Sequence, residues 1–302
     1  MLRNRFLVSS IVAVSQIAYG VPIKVVATTP QIAEAVERLA GSNVEVRALV
    51  SPGIDPHTFK ATPSDVAAIK QADLILYSGL HLEAQMEKIF ETQRKVKNVV
   101  AVSHSIAKDK LIPDPGQKGY FDPHFWHDVT LWQQAVVATK EALIMADKRN
   151  AALYTKNADA YLKKLDRLQA DVVQGLEKIP APTRFLVTIH DAFSYFARQY
   201  GFKVENIQGV NTESAASIAD VKRVTDFISR NKIPAMFLEN STPTRNAQAI
   251  IEGAKANGWN VILAGTLYAD GPGEKGSAAG TYEGMMMANV NTIVSALAPK
   301  QN

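Results

Sequence analysis

Three of the six histidines occur where a strand end or a stiff loop could present an imidazole to a ligand. His57 and His124 each complete the local sequence Asp-Pro-His, and His190 ends the apolar run FLVTIH. Proline fixes its own φ and restricts the residue before it, so the first two histidines lie on stiff, non-helical backbone. Such a backbone suits a metal ligand because the ring must keep one direction.

The fourth candidate is a carboxylate, Asp270, in the loop TLYADGPGEKG. His57 and His124 lie in the first half of the chain, and His190 and Asp270 lie in the second. The chain contains no cysteine, which excludes thiolates and leaves imidazole and carboxylate as ligands for a transition metal. A single histidine is more often an ordinary loop or core residue, so the inference of a metal site depends on the whole set.

The elements that must position these residues alternate between short β-branched runs and amphipathic stretches. Predicted strands cover 23–27, 44–50, 74–77, 99–102, 184–189, 203–208, 235–238 and 260–264. Predicted helices cover 31–39, 63–71, 82–92, 191–200, 216–231, 244–257 and 282–297. This alternation predicts parallel sheets with crossover helices, and such folds bind ligands outside the carboxyl ends of their strands.

Two long helices are predicted in the middle of the chain, at 128–148 and 150–179. The second has apolar residues at helical spacing and would extend about 42 Å at about 1.5 Å per residue, longer than a crossover helix requires. We therefore predict an α/β fold of two similar lobes, each a mostly parallel sheet with flanking helices, joined by one long rigid helix. The predicted bounds are 21–149 for the first lobe, 150–180 for the connecting helix and 181–302 for the second lobe.

The first twenty residues have the pattern of a secretory signal peptide. Arg3 and Arg5 precede an apolar run that begins at Phe6, and a small-residue pattern ends at Gly20, where we expect cleavage. The apolar run is shorter than the ~20 residues that a spanning helix needs. Without a cysteine to carry a lipid, the cleaved protein is expected to move freely in a periplasm, as a monomer. The formal charge is +4, and without Arg3 and Arg5 it is 31 − 29 = +2, which is too balanced to suggest nucleic-acid binding.

Several motifs together resemble the metal-specific solute-binding proteins of bacterial ABC importers, the ZnuA, TroA and PsaA type. They are GIDPHTF at 53–59, SGL at 78–80, DPHFW at 122–126, HDAFSYF at 190–196, FLENS at 237–241 and TYEGMM at 281–286. The resemblance covers essentially the whole chain after the leader. It implies one divalent metal held in the cleft between the lobes by His57, His124, His190 and Asp270. It also implies delivery of the metal to the membrane permease of an importer, and a long helix that limits lobe motion.

The resemblance leaves the metal open between Zn²⁺ and Mn²⁺. Zinc-uptake members often carry a histidine-rich and acidic loop before the second ligand and a disulfide in the second half. This chain has AKDKLIPDPGQKG at 107–119 and no cysteine, so it resembles the TroA side of the family more closely. Three imidazoles and one carboxylate suit zinc, and a bidentate Asp270 would suit manganese.

Other residues are weaker candidates. The family usually has an apolar residue at the position of His127, which we predict to lie behind the ligands or on the surface. His81 and His104 are predicted to lie on the surface. Glu239 ends a predicted strand and could orient a ligand imidazole. The run of three methionines at 285–287 is predicted to pack on a helix face.

Two other functions fit parts of the pattern. A secreted zinc hydrolase would also use three protein ligands, but Asp270 would fill its open position and the chain has no His-Glu-x-x-His helix. A binding protein for an organic solute or chelated iron would use Phe59, Phe125, Trp126 and Tyr268 as pocket walls. The metal-binding transport protein is the interpretation that we carry forward, with no enzymatic activity expected.

Overall fold

The computed structural model describes residues 21–243 and 245–299. The predicted signal peptide at 1–20 lies outside the described residues. Within them, no helix combines the length and the apolar character that crossing a membrane requires.

The first half of the chain forms a four-stranded parallel sheet. Its strands are β1 (Ile23–Ala27), β2 (Val44–Ala48), β3 (Leu74–Tyr77) and β4 (Asn98–Ala101), in the order β2-β1-β3-β4. The helices are α1 (Pro30–Ala40), α2 (Pro63–Gln71), α3 (Glu87–Arg94) and α4 (Val129–Ala146). Local sequence starts α2, because Thr62 and Asp65 form a reciprocal capping box around Pro63 at the first helical position.

The second half repeats the parallel pattern in two pairs of strands. The strands are β5 (Phe185–Thr188), β6 (Lys203–Asn206), β7 (Ala235–Glu239) and β8 (Ile262–Leu267), paired β5-β6 and β7-β8. The helices are α6 (Ser194–Tyr200), α7 (Ile218–Asn231), α8 (Arg245–Ala256) and α9 (Tyr282–Leu297). Strands β5 and β7 contact each other. At their carboxyl ends the Glu239 carboxylate accepts the N–H groups of Ile189 and His190, so a side chain replaces a strand-to-strand hydrogen bond there.

The predicted long helix is α5 (Ala151–Leu176), with 26 residues. One face is buried from Tyr154 through Leu165 to Leu176. It contacts α1 of the first half and α9 of the second, the arrangement expected of a connector. The division into lobes at 21–149 and 181–302 remains a prediction.

One hydrophobic core runs through both halves of the chain. Trp132 of α4 stacks on Tyr282 of α9, with ring centroids 4.9 Å apart. The Tyr282 hydroxyl donates to the carbonyl of Trp126. This packing fixes the segment around His124 against the second half, which bears directly on the geometry of the site.

Candidate metal centre

The four predicted ligands converge from the two halves of the chain. Nε2 of His124 lies 3.1 Å from Nε2 of His57 and 3.3 Å from Nε2 of His190. Oδ1 of Asp270 lies 3.8, 3.5 and 3.6 Å from Nε2 of His57, His124 and His190, respectively. All four residues are buried, and their ligand atoms lie within 4.8 Å of one another. We call them the His-Asp cluster.

The spacing of these atoms matches that of a tetrahedral metal shell. With metal to nitrogen distances of about 2.0–2.1 Å, two ligand atoms at corners of a tetrahedron lie about 3.4 Å apart. The five separations given above, 3.1–3.8 Å, bracket that value. Asp270 Oδ1 has no hydrogen-bond partner although it is buried among three imidazoles. A buried acceptor is costly unless something binds it, and a cation would.

The repeated Asp-Pro-His sequence forms the same turn twice. Asp55 Oδ1 accepts the N–H of His57 at 2.8 Å, and Asp122 Oδ1 accepts the N–H of His124 at 2.9 Å. An aspartate that bonds the backbone two residues later makes an Asx turn. Asp122 Oδ1 also accepts the Nδ1–H of the His124 ring at 2.7 Å. When the ring is neutral, its proton therefore lies on Nδ1 and the Nε2 lone pair faces the cluster.

His190 is held by the strand end of β7. Its Nδ1 lies 2.5 Å from Glu239 Oε2, and its backbone N–H donates to Glu239 Oε1 at 2.9 Å. Thr242 Oγ1 donates to the same carboxylate at 2.9 Å. Glu239 therefore makes the ring-orienting contact that its strand-end position predicts.

Asp270 is held by contacts on both sides of its loop. Ser241 Oγ donates to Asp270 Oδ2 at 2.5 Å. The carbonyl of the preceding residue, Ala269, accepts Trp126 Nε1–H at 3.0 Å and His127 Nε2–H at 2.8 Å. The segment that supplies His124 thus also fixes the backbone beside Asp270, so two predicted ligands from opposite halves share one set of anchors.

The electrostatics of the site favour a bound positive charge. Burial lowers the pKa of His57. Burial acts on His124 in the same direction, but the Asp122 carboxylate outweighs it and raises the pKa of His124 to about 9. Burial is likewise outweighed at His190 by the charge of Glu239, and the pKa of His190 is raised well above its ordinary value. Asp122, Glu239 and Asp270 are all buried, and three buried carboxylates are stable only beside compensating cations.

The remaining histidines divide as follows. Both His81 and His104 were predicted to lie on the surface. His104 is exposed, and His81 is only partly exposed. His127 is fully buried, so the surface alternative is wrong, and the predicted place behind the four candidate ligands stays a prediction. Its ring stacks on Phe193, with centroids 4.4 Å apart, which replaces the apolar side chain expected there.

Two residues that bond the side chains of the predicted ligands were not predicted from the sequence. Asp122 is one, although its place two residues before His124 was a usable signal. Ser241 is the other, and it carried no distinguishing signal because it lies 29 residues from Asp270 along the chain.

Comparison with known proteins gives close relatives over nearly the whole chain. The chain is 42% identical over 275 residues to the manganese-binding lipoprotein MntA of Bacillus subtilis, covering 91% of this chain and 90% of MntA. It is 42% identical over 281 residues to the zinc-binding protein TroA of Treponema pallidum, covering 93% of this chain and 90% of TroA.

Comparison with solved structures also finds a TroA protein. The solved structure of the periplasmic zinc-binding protein TroA from Treponema pallidum superposes with a TM-score of 0.89, covering 92% of this chain and 100% of TroA. The family model described as zinc-uptake complex component A, periplasmic, matches residues 25–296. With the matched region extending from β1 to α9, this chain belongs to the ZnuA family.

Proposed function

We propose that this protein is a periplasmic solute-binding protein that captures one Zn²⁺ or Mn²⁺ ion in the His-Asp cluster. It delivers the ion to the membrane permease of an ABC-type importer, and it acts as a monomer without enzymatic activity. His57, His124 and His190 contribute Nε2 and Asp270 contributes Oδ1. The zinc and manganese named for TroA and MntA support this choice of cargo.

The observation that carries the proposal is the position of Asp270 Oδ1. This buried oxygen has no hydrogen-bond partner, yet it lies 3.5–3.8 Å from three imidazole nitrogens. Those separations are too long for ordinary hydrogen bonds. They are the separations that four atoms bonded to one metal ion would have.

The geometry favours a metal-transport protein over a zinc hydrolase. A catalytic zinc keeps a coordination position for water or substrate, whereas here Asp270 occupies the fourth corner. The cavity beside His57 has a volume of about 10 Å³, about the room that one water needs. This cavity therefore has no room for a substrate larger than a water. The same lack of room disfavours an organic solute or chelated iron.

The two halves that hold the ion are the proposed lobes, 21–149 and 181–302, with the segment 150–180 between them. Helix α5 packs on α1 and on α9. Because it contacts both halves, it should limit the motion of the lobes relative to each other. Delivery to a permease requires that the His-Asp cluster open, and separation of the lobes would move His57 and His124 away from His190 and Asp270.

Thermal unfolding of metal-stripped protein tests the proposal. Zn²⁺ at a hundredfold excess over its Kd should stabilise the fold by about 2.7 kcal/mol, and Mn²⁺ should also raise the melting temperature. Elemental analysis after desalting should give one ion per chain. A melting temperature that neither metal changes, in protein shown to be metal-free at the start, would contradict metal capture.

A further inference from the structure

A narrow cavity lies beside His57. His81 and Tyr120 line it together with His57, and its volume is about 10 Å³. Asp114 and Asn211 also line it, and both are shared with a neighbouring open cleft of about 610 Å³. The narrow cavity therefore adjoins the open cleft on one side and His57 of the His-Asp cluster on the other.

His81, which lines this cavity, is oriented in the same way as two residues of the His-Asp cluster. Its Nδ1 lies 2.6 Å from Glu87 Oε1, as Nδ1 of His124 meets Asp122 and Nδ1 of His190 meets Glu239. A carboxylate only accepts, so the proton lies on Nδ1 and the Nε2 lone pair is available for a metal. The His81 side chain retains 28% of its exposure, so solvent reaches it.

The backbone at His81 is held in an unusual conformation. Gly79, Leu80 and His81 have φ values of 87°, 54° and 71°, and a non-glycine residue in this left-handed region carries strain. Glu83 holds the turn, because its buried carboxylate accepts the N–H groups of Ser78 and Gly79 at 2.7 and 3.1 Å. Strain that the surroundings impose is concentrated at functional positions.

From the cavity, the carboxylate-oriented ring and the strained turn, we propose that His81 is a transit ligand. It takes a divalent cation from the open cleft and passes it to His57, and it receives the ion again on release. A cation with its full shell of waters is far larger than a cavity that fits about one water. The ion must therefore exchange waters for protein atoms on the way, and the Nε2 atom of His81 offers the first exchange.

This inference rests on the proposed function but makes a separate prediction about rates. A ligand that binds only during passage lowers the barrier in both directions and leaves the equilibrium unchanged. Replacing it should slow association and dissociation of Zn²⁺ by the same factor, about tenfold, which corresponds to about 1.4 kcal/mol of barrier. The Kd for Zn²⁺ should remain that of the unmodified protein.

His81→Asn is the variant of choice, because asparagine tolerates a left-handed φ and removes the imidazole. His81→Gly is a second variant that keeps the turn without strain. Stopped-flow mixing of the stripped protein with Zn²⁺ and a fluorescent indicator gives the association rate. Mixing of the loaded protein with excess chelator gives the dissociation rate.

His104→Asn is the matched control, since His104 is exposed and bonds the carbonyl of Ala101 away from the cavity. Both rates should be unchanged in this control and slowed in both His81 variants. Unchanged rates in the His81 variants would overturn the transit role, as would a change in Kd with only one rate altered. Failure of the unmodified protein to bind Zn²⁺ would instead contradict the proposed function.

Discussion

Glu239 binds His190 at two points, through the backbone N–H at 2.9 Å and through ring Nδ1 at 2.5 Å. One carboxylate therefore fixes both the backbone position of His190 and the orientation of its ring. Glu239 also accepts the N–H of Ile189 at 2.8 Å, which ties the ends of β5 and β7 together. The direction of a proposed metal ligand and the packing of two strands depend on the same side chain.

We expect Glu239→Gln to weaken zinc binding by about 10–100-fold, the usual effect of losing a partner that orients a ligand histidine. The glutamine oxygen can still accept the two backbone N–H groups, but its amide then presents N–H to Nδ1 of His190. The ring proton is driven to Nε2, which removes the lone pair that would bind the metal. Chelator competition measures the Kd, and Glu252→Gln on the exposed face of α8 is the control. Equal affinity in the two variants would contradict the role given to Glu239.

The division of the histidines gives a second prediction. His57→Ala and His190→Ala should each weaken zinc binding far more than His104→Ala, because only the first two place Nε2 in the His-Asp cluster. His81→Ala should leave the equilibrium affinity close to that of the unmodified protein. Competition titrations of the four variants with one chelator give the order of their Kd values. Four equal effects would mean that this assignment of ligands is wrong.

The sequence indicated the His-Asp cluster because local chemistry marks its members. The sequence Asp-Pro-His reveals a stiff turn by itself, and the four predicted ligands that it helped to identify do converge. Asp55 and Asp122 occupy the same position in the two turns, but their further hydrogen-bond partners differ and depend on the tertiary structure. Asp122 also bonds the ring of His124, whereas Asp55 accepts Thr212 Oγ1 at 2.6 Å, from 157 residues away. No pattern within one turn predicts such a contact.

The difference between local and tertiary contacts also explains which predicted helix bounds agree with the structure. The predictions for 63–71 and 282–297 agree with α2 and α9, whose first turns are capped by the side chains of Thr62 and Thr281. The helix predicted at 191–200 instead begins at Ser194. There His190 is held back by Glu239 from another strand, and Asp191 accepts Ser194 Oγ at 2.7 Å. A tertiary contact thus delays the helix beyond the point that periodicity indicates.

A third prediction concerns the anchors of Asp270. His127→Phe should keep the stacking on Phe193 and remove the N–H that bonds the carbonyl of Ala269. It also removes Nδ1, a buried atom without a hydrogen-bond partner, so the free energy of unfolding of the metal-free protein should change by less than about 1.5 kcal/mol. Zinc affinity should fall, because the backbone beside Asp270 keeps only the bond from Trp126. Urea unfolding and chelator competition measure the two effects. His127→Gln, which retains a donor, should restore part of the affinity if the bond to Ala269 is the cause.

A fourth prediction concerns pH and stability at α2. Burial raises the pKa of Asp65, but hydrogen bonds from Thr62 and the charge of Arg47 outweigh it, and the net pKa lies below its ordinary value. A lowered carboxylate pKa stabilises the fold above the pKa of the unfolded chain, about 3.9, and this stabilisation is lost as pH falls through the folded value. Asp65→Asn should cost about 1–2 kcal/mol at pH 7, and the cost should shrink in acid. Urea unfolding of metal-free protein at pH 7 and below pH 3.5 gives both values, with the exposed Asp159→Asn as control. A cost that is the same at both pH values would exclude the ionised carboxylate as its source.

The last prediction is that His190→Glu moves the site toward manganese. The change exchanges a borderline nitrogen for hard oxygen at one corner of the His-Asp cluster, and a bidentate carboxylate accepts the higher coordination number of Mn²⁺. Glu239 loses its ring partner and gains a neighbouring carboxylate, so binding of both metals should weaken. The zinc affinity should fall more than the manganese affinity, even if zinc still binds more tightly as the Irving-Williams order requires. Competition titrations of both metals at one fixed pH measure the ratio, and pH must be fixed because bound histidines have to be neutral. His104→Glu makes the same change of charge at an exposed residue and should leave the ratio unaltered. An unchanged or larger zinc preference in His190→Glu would place residue 190 outside direct contact with the metal.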